Sequence, residues 1–190
     1  MTPKQVATLM AQYLGQKDLL NTTALSGNQA ATSEQTEKLQ TFLDCINDVV
    51  QMLAISYFPL KAKQTLSSVN NTFSYSSFSK TLLQIVSVKD SSTGAKLHFE
   101  TYPEYFTAKS NSVEVVYNYQ PDYAQAFNSS LDVAKYCVTP RLIALGAVAR
   151  YYLFEGLLEE SNAWNNMFER AVLIAQTPKH STHINKRSWF

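Results

Sequence analysis

The sequence predicts an α+β fold, mainly α, in which a helical bundle carries an inserted small antiparallel β region and an extended C-terminal tail. Three observations predict it. Leu39, Phe42, Leu43, Ile46, Val49, Val50 and Leu53 recur at three- and four-residue spacing, the stripe of a long helix packed along one side. From Val69 to Tyr119 the chain turns to Ser, Thr, Val, Tyr and Phe in short runs between turn signals. Beyond Thr139, two apolar-periodic segments meet at Gly156 with almost no linker, the signature of a helix hairpin.

Each element has local cause. Thr2 to Leu14 reads as a short helix, with Pro3 in the first turn and Gly15 as the stop. NTTALSGNQAA (Asn21 to Ala31) reads as a polar loop. Thr32 and Gln35 form a T-x-x-Q capping box that starts the long helix over 33–57, which Pro59 ends. Leu60 to Leu66 reads as one further turn. Leu82 to Val88 is expected to be a strand, DSSTG (Asp90 to Gly94) its turn, and Lys96 to Thr101 the returning arm of a hairpin. Tyr105 to Ala108 is a candidate neighbour. Ser112 to Tyr119 (SVEVVYNY) is the strongest strand, being β-branched and aromatic throughout. Thr139-Pro140 caps a helix over 140–156. Its small residues Ala144, Gly146, Ala147 and Ala149 permit close helix contact. The last helix, 157–176, is expected to bury Trp164, Met167, Phe168, Ala171 and Ile174. Leu43, Ile46 and Val50 are expected to pack on this hairpin. The whole of 1–176 reads as one domain and 177–190 as a tail.

The chain has 190 residues, 45% of them hydrophobic, enough for a sizeable core. Charged residues are only 16%, a depletion that favours a surface spent on contacts, since interface cores shed charge. The net charge of +1 supplies no field for nucleic acid or an anionic membrane. Cys45 and Cys137 stand alone in apolar settings and read as free thiols. MTPKQVATLMAQYL lacks the apolar core and cleavage pattern of a leader, and no run reaches membrane-spanning length, so a cytoplasmic protein is expected.

Candidate chemistry is sparse. His180 and His183 would share a face on a helix, but no Cys, Asp or Glu follows Glu169 to complete a metal site. Glu159 and Glu160 are adjacent and so point apart. No phosphate-cradling or nucleophile motif is present, and no catalytic, metal or cofactor residue is assigned. The aromatics of the β region lack interleaved basic residues, which favours core packing and subunit contact over stacking on single-stranded nucleic acid. The tail is the one candidate site. Lys179, Lys186 and Arg187 make it basic, and Trp189 and Phe190 are large aromatics in a polar stretch. It reads either as a solvated, frayed end or as a docking peptide that orders on a partner.

The order of parts, with LDCINDVVQMLAISYFPLK (Leu43 to Lys61), IVSVKD (Ile85 to Asp90), LIALGAVARYYLFEGLLEESNAWNNMFERAV (Leu142 to Val172) and the ending KRSWF, resembles the head–tail connector, or adaptor, family of long-tailed bacteriophages and prophages. The resemblance covers nearly the whole chain and rests on packing patterns. It implies a non-enzymatic virion neck subunit, assembled in the host cytoplasm. Twelve copies would form a ring under the portal protein, extend the channel for genomic DNA without reading its sequence, and present a surface to the next neck, stopper or tail protein. It implies that the helices build the ring wall and that Lys179, Lys186, Arg187, Trp189 and Phe190 dock on the portal. The free chain is then expected to be monomeric or weakly associated. Two other readings remain open: another neck or tail-completion (stopper) protein, and a non-viral helical protein-interaction module. An enzyme without a recognisable motif is a third.

Overall fold

The structure, a computed structural model, describes residues 1–68 and 70–177. Helices α1 (Pro3–Tyr13), α2 (Lys17–Leu20) and α3 (Ser33–Met52) come first, and α3 runs on into a π turn, Leu53–Tyr57. Six strands follow: β1 (Leu60–Ser67), β2 (Thr72–Ser74), β3 (Leu82–Asp90), β4 (Phe99–Thr101), β5 (Tyr105–Ala108) and β6 (Ser112–Tyr119). The hairpin helices α4 (Pro140–Phe154) and α5 (Leu158–Gln176) close the chain of described elements.

α4 is the axis of the helical part. It packs against α1, α3 and α5, and Ile143, Ala144, Ala147 and Val148 are fully buried. A helix apolar all round must be enclosed, and small residues make that possible. A Cβ on Gly146 would lie 2.9 Å from Phe168 Cδ2 and 3.0 Å from Val49 Cγ1, so α4 is clamped between α5 and α3. The stripe from Leu39 to Leu53 is buried, and Leu43, Ile46 and Val50 share one core with Ile143, Leu145 and Phe168. The helix starts follow their local chemistry. The Thr32 amide donates to Gln35 Oε1 at 3.0 Å, and the Gln35 amide to Thr32 Oγ1 at 3.3 Å. Thr139 Oγ1 accepts from the Leu142 amide at 3.2 Å. Gly15 and Gly156 end their helices at φ +69° and +76°.

The mainly helical bundle expected from the sequence is overturned. The strands form two three-stranded antiparallel sheets, ordered β1-β6-β3 and β2-β5-β4, around a second apolar core. The fold is therefore mixed, with the β region a layer in its own right. Two local misreadings account for this. Leu60 to Leu66 is strand β1, not a turn: Leu60 and Leu66 are buried, the lysines between them exposed, and the strand pairs with β6 from Leu60↔Tyr119 to Ser67↔Ser112. That alternation has period two, the period of a strand. The expected hairpin of Leu82–Val88 with Lys96–Thr101 forms only at its base. The Leu97 amide donates to Val88 O at 2.9 Å, and then the returning arm leaves to pair with β5 as β4. β3 pairs with β6 instead. Val113, Val115 and Tyr117 of β6 offer a continuous apolar face that KLHFET cannot match, so the distant partner wins.

Asn21 to Ala31 is also more than a polar loop. Leu19 and Leu25 are fully buried, and a Cβ on Gly27 would lie 1.9 Å from Asn21 O, so this turn closes only with glycine there. The irregular stretch 120–138 is tied across the helical layer by two buried amides of α3. Asn47 Nδ2 donates to Ala124 O at 3.0 Å while the Ala124 amide donates to Asn47 Oδ1 at 2.9 Å, and Gln51 Nε2 donates to Pro121 O at 2.6 Å. Tyr119 joins the two cores, and its hydroxyl donates to Asp132 Oδ2 at 2.9 Å.

Candidate interaction surfaces

The tail residues singled out by sequence, Lys179, Lys186, Arg187, Trp189 and Phe190, lie outside the described residues, as do His180 and His183. His98 is exposed, and Glu159 and Glu160 are exposed in the first turn of α5. Among the described residues no three His, Cys, Asp or Glu side chains gather as a metal site, and no helix is long and apolar enough to cross a membrane. Cys45 is fully buried on α3. Burial, then the charges of Asp44 and Asp48, push its thiol up to about 12. Cys137 is half-buried, and burial raises its thiol too.

Most aromatics of the β region lie in or against its core. Phe73 stacks on Phe106 at 5.0 Å between centroids, and Phe78 meets the buried Tyr117 edge-on at 4.6 Å. Tyr102 and Tyr105 stack on each other at 4.8 Å and remain partly exposed, with the Tyr102 hydroxyl donating to Glu100 Oε2 at 3.0 Å. The turn after β3 is held by Asp90, whose carboxylate accepts from the Ser92 and Thr93 amides and from Ser110 Oγ. The Ser92 and Ser110 hydroxyls, followed by the Thr93 amide, hold that carboxyl well below its usual range.

Among the described residues, three surfaces are left open. The first lies along α4 and α5. The face expected to be buried on α5 is only partly so. Phe168 is buried, and Trp164 and Ala171 are half-buried, with Trp164 5.4 Å from the Tyr13 ring. Met167 and Ile174, however, are 46% and 75% exposed. Ser161 and Val172 take the interior instead, and Ser161 Oγ donates to Ala149 O at 2.9 Å. α5 carries apolar side chains on two faces, and α4 can cover one of them. The uncovered face and the start of α4 form a groove of about 840 Å³, lined by Tyr136, Leu142, Leu145, Met167 and Ile174 with Arg141 and Arg170.

The second surface is the turn of the hairpin, where Leu153, Phe154, Leu157 and Leu158 are exposed, Phe154 at 70%. Glu155, Glu159 and Glu160 surround them. The third is the outer edge of β3 ahead of the point where Leu97 joins Val88. Its pairing with β6 slips between Leu82 and Gln84 and again between Ile85 and Ser87, which leaves Leu83 and Val86 as the extra residues. Both point outward, and Leu83 lines an open groove of about 850 Å³ with Tyr75, Phe78, Ile85 and Phe99. The sequence reading missed all three, although the second apolar face of α5 was visible in the spacing of Met167, Ala171 and Ile174.

No protein-family model matches the chain. No curated protein matches it in sequence.

Proposed function

We propose that the chain is a structural head–tail adaptor subunit of a tailed phage. It would form a ring beneath the portal, carry the DNA channel onward and join the capsid to the next neck or tail protein. The observation that carries this reading is the helix hairpin, which leaves large apolar side chains open at its turn and along its base. Contiguous exposed apolar surface on a folded chain marks a contact surface. A subunit that completes its packing against neighbours needs such surface on more than one side, because a ring contact uses two different patches of each copy. The order of elements that carries the family resemblance adds to this. In this reading Lys179, Lys186, Arg187, Trp189 and Phe190 dock on the portal, each aromatic adding roughly 2 kcal/mol of burial before ordering costs. Twelvefold repetition would make weak single contacts strong in sum.

The test is electron microscopy of DNA-filled, portal-bearing heads incubated with the purified chain. A ring of added density under the portal is expected, and its loss on deletion of Asn185 to Phe190 without change in melting temperature. Bare portals with the full chain would overturn the adaptor reading. Unchanged decoration by the truncated chain would overturn the docking tail alone. A stopper or tail-completion role is the second reading, favoured by the two sheets, because such proteins are richer in β-structure. It predicts binding only to heads already fitted with another neck protein.

A further inference from the structure

The two open ends of the helix hairpin are opposite in charge and alike in being apolar. At the turn, Leu153, Phe154, Leu157 and Leu158 are exposed among Glu155, Glu159 and Glu160. At the base, the groove bounded by Tyr136, Leu145, Met167 and Ile174 carries Arg141 and Arg170 and, among the described residues, no carboxylate. None of these five charged side chains is in an ion pair among the described residues. Along the rigid helix α4 the inner end of the groove, Leu145, and the start of the turn, Leu153, stand about 12 Å apart at ~1.5 Å per residue. One copy therefore cannot bring its own turn to its own groove.

We propose that the hairpin turn of one copy docks into the α4/α5 groove of the next, and that this is the self-contact of the protein. Phe154 and its leucine neighbours enter the space beside Met167 and Ile174. Glu155, Glu159 and Glu160 face Arg141 and Arg170 across the rim. The occupant is a second copy of this chain because the turn and the groove match in both respects, apolar centre and charged border. Charge complementarity of this kind fixes partner and register. Each copy uses its turn on one side and its groove on the other, so the contact is heterologous and continues from copy to copy until a rotation closes it. The inference deepens the ring reading and rests on it only for that closure.

The experiment uses the full 190-residue chain and sedimentation over a wide concentration range. Wild type is expected to associate weakly and with strong salt dependence. Variant one carries Glu155→Arg, Glu159→Arg and Glu160→Arg; variant two carries Arg141→Glu and Arg170→Glu. All five positions are exposed, so both variants should fold. Each alone should associate at least ten-fold more weakly than wild type. An equal mixture should recover association, because the basic turn of the first now meets the acidic groove of the second. Mixing cannot repair damage to a fold, so recovery is specific to the pairing. If both variants associate like wild type, or the mixture fails to recover, this contact is wrong while a ring through another surface survives. If wild type stays monomeric throughout, the contact is likewise overturned, and decoration of portal-bearing heads decides the ring separately.

Discussion

The helical part and the β part of this molecule reach stability by different routes. Around α4, the core is built mostly from aliphatic side chains and alanines, with Phe42, Phe58, Tyr151 and Phe168 set among them and Gly146 allowing three helices to close on one line. Buried amides, Asn47 and Gln51, then fasten an irregular strap across it. The β core is smaller and aromatic. Phe73, Tyr75, Phe78 and Phe99 gather on Phe106, and around them β1, β2 and β3 all find their partners in distant segments. Helical order comes from neighbours three and four residues away, whereas β1 finds β6 about fifty residues later, a closure that must be made before any ladder bond rewards it. Local patterns therefore determine the first core, and a few bulky contacts determine the second.

Substitution of Ile46 by Asp should break the helical core outright. Ile46 is fully buried beside α4, and an unpaired buried carboxylate costs several kcal/mol, roughly 4 or more, against a total of about 5–15 for a domain. The expected result is loss of the cooperative melting transition. A soluble Ile46→Asp chain with unchanged melting would show that α3 does not need α4. Phe106→Ala should cost about 3–5 kcal/mol, because the ring is fully buried at the centre of the aromatic cluster. Its effect should stay on one side. Amide exchange should quicken through β2, β4 and β5 while α3 and α4 keep their protection. Equal loss in both parts would make the two cores one cooperative unit.

This contrast also decides what could be read from the sequence. The helices from 33 to 57 and 140 to 176 were legible because the Thr32 and Thr139 caps, the Pro59 break and the Gly156 stop agree with the helical period. β1 was not, since Pro59 hides the start of a strand whose partner is far along the chain. The β3–β4 hairpin was misread because a good turn at Asp90 to Gly94 says nothing of which strand wins the pairing beyond it. On α5 the spacing allowed two apolar faces, and only Ser161, small enough to reach Ala149 O, shows which one turns inward. Asn47 and Gln51 gave no signal, because their partners are backbone groups of a segment without a pattern. The tail that carried the docking expectation lies outside the described residues, and the open groove and turn were found only in three dimensions.

Asn47→Ala tests the strap with a smaller effect. It removes two buried hydrogen bonds and leaves the Ala124 amide and carbonyl without partners, which costs about 2 kcal/mol. Melting should fall by several degrees, with exchange quickening around Ala124 and with the β core untouched. If only α3 responded, the strap would be held by its own contacts and not by the amide.

The smallest effect expected is the pH effect of one thiol in the helical core. An ordinary thiol ionises near 9, but burial holds the Cys45 thiol neutral up to about 12 in the folded chain. Between these values the unfolded chain has lost a proton that the folded chain keeps. The folded state binds more protons, so stability must fall as pH rises through this window. The contribution of Cys45 is complete below pH 9 and is lost progressively toward 12. Tyr119 acts in the same direction from 10 to about 12, through burial and its bond to Asp132, so wild type alone cannot separate them. Burial raises Cys137 and Tyr151 as well, so they act in the same direction; Cys45→Ala removes the Cys45 component and keeps the others. Denaturant titrations at pH 8 and pH 10.5 should show a smaller alkaline loss for Cys45→Ala than for wild type, and Tyr119→Phe should match wild type until the pH passes 10. Equal losses for wild type and Cys45→Ala would mean that the thiol ionises in the folded state. α3 would then open to solvent at this position, and the helical part would be no more tightly closed than the β part.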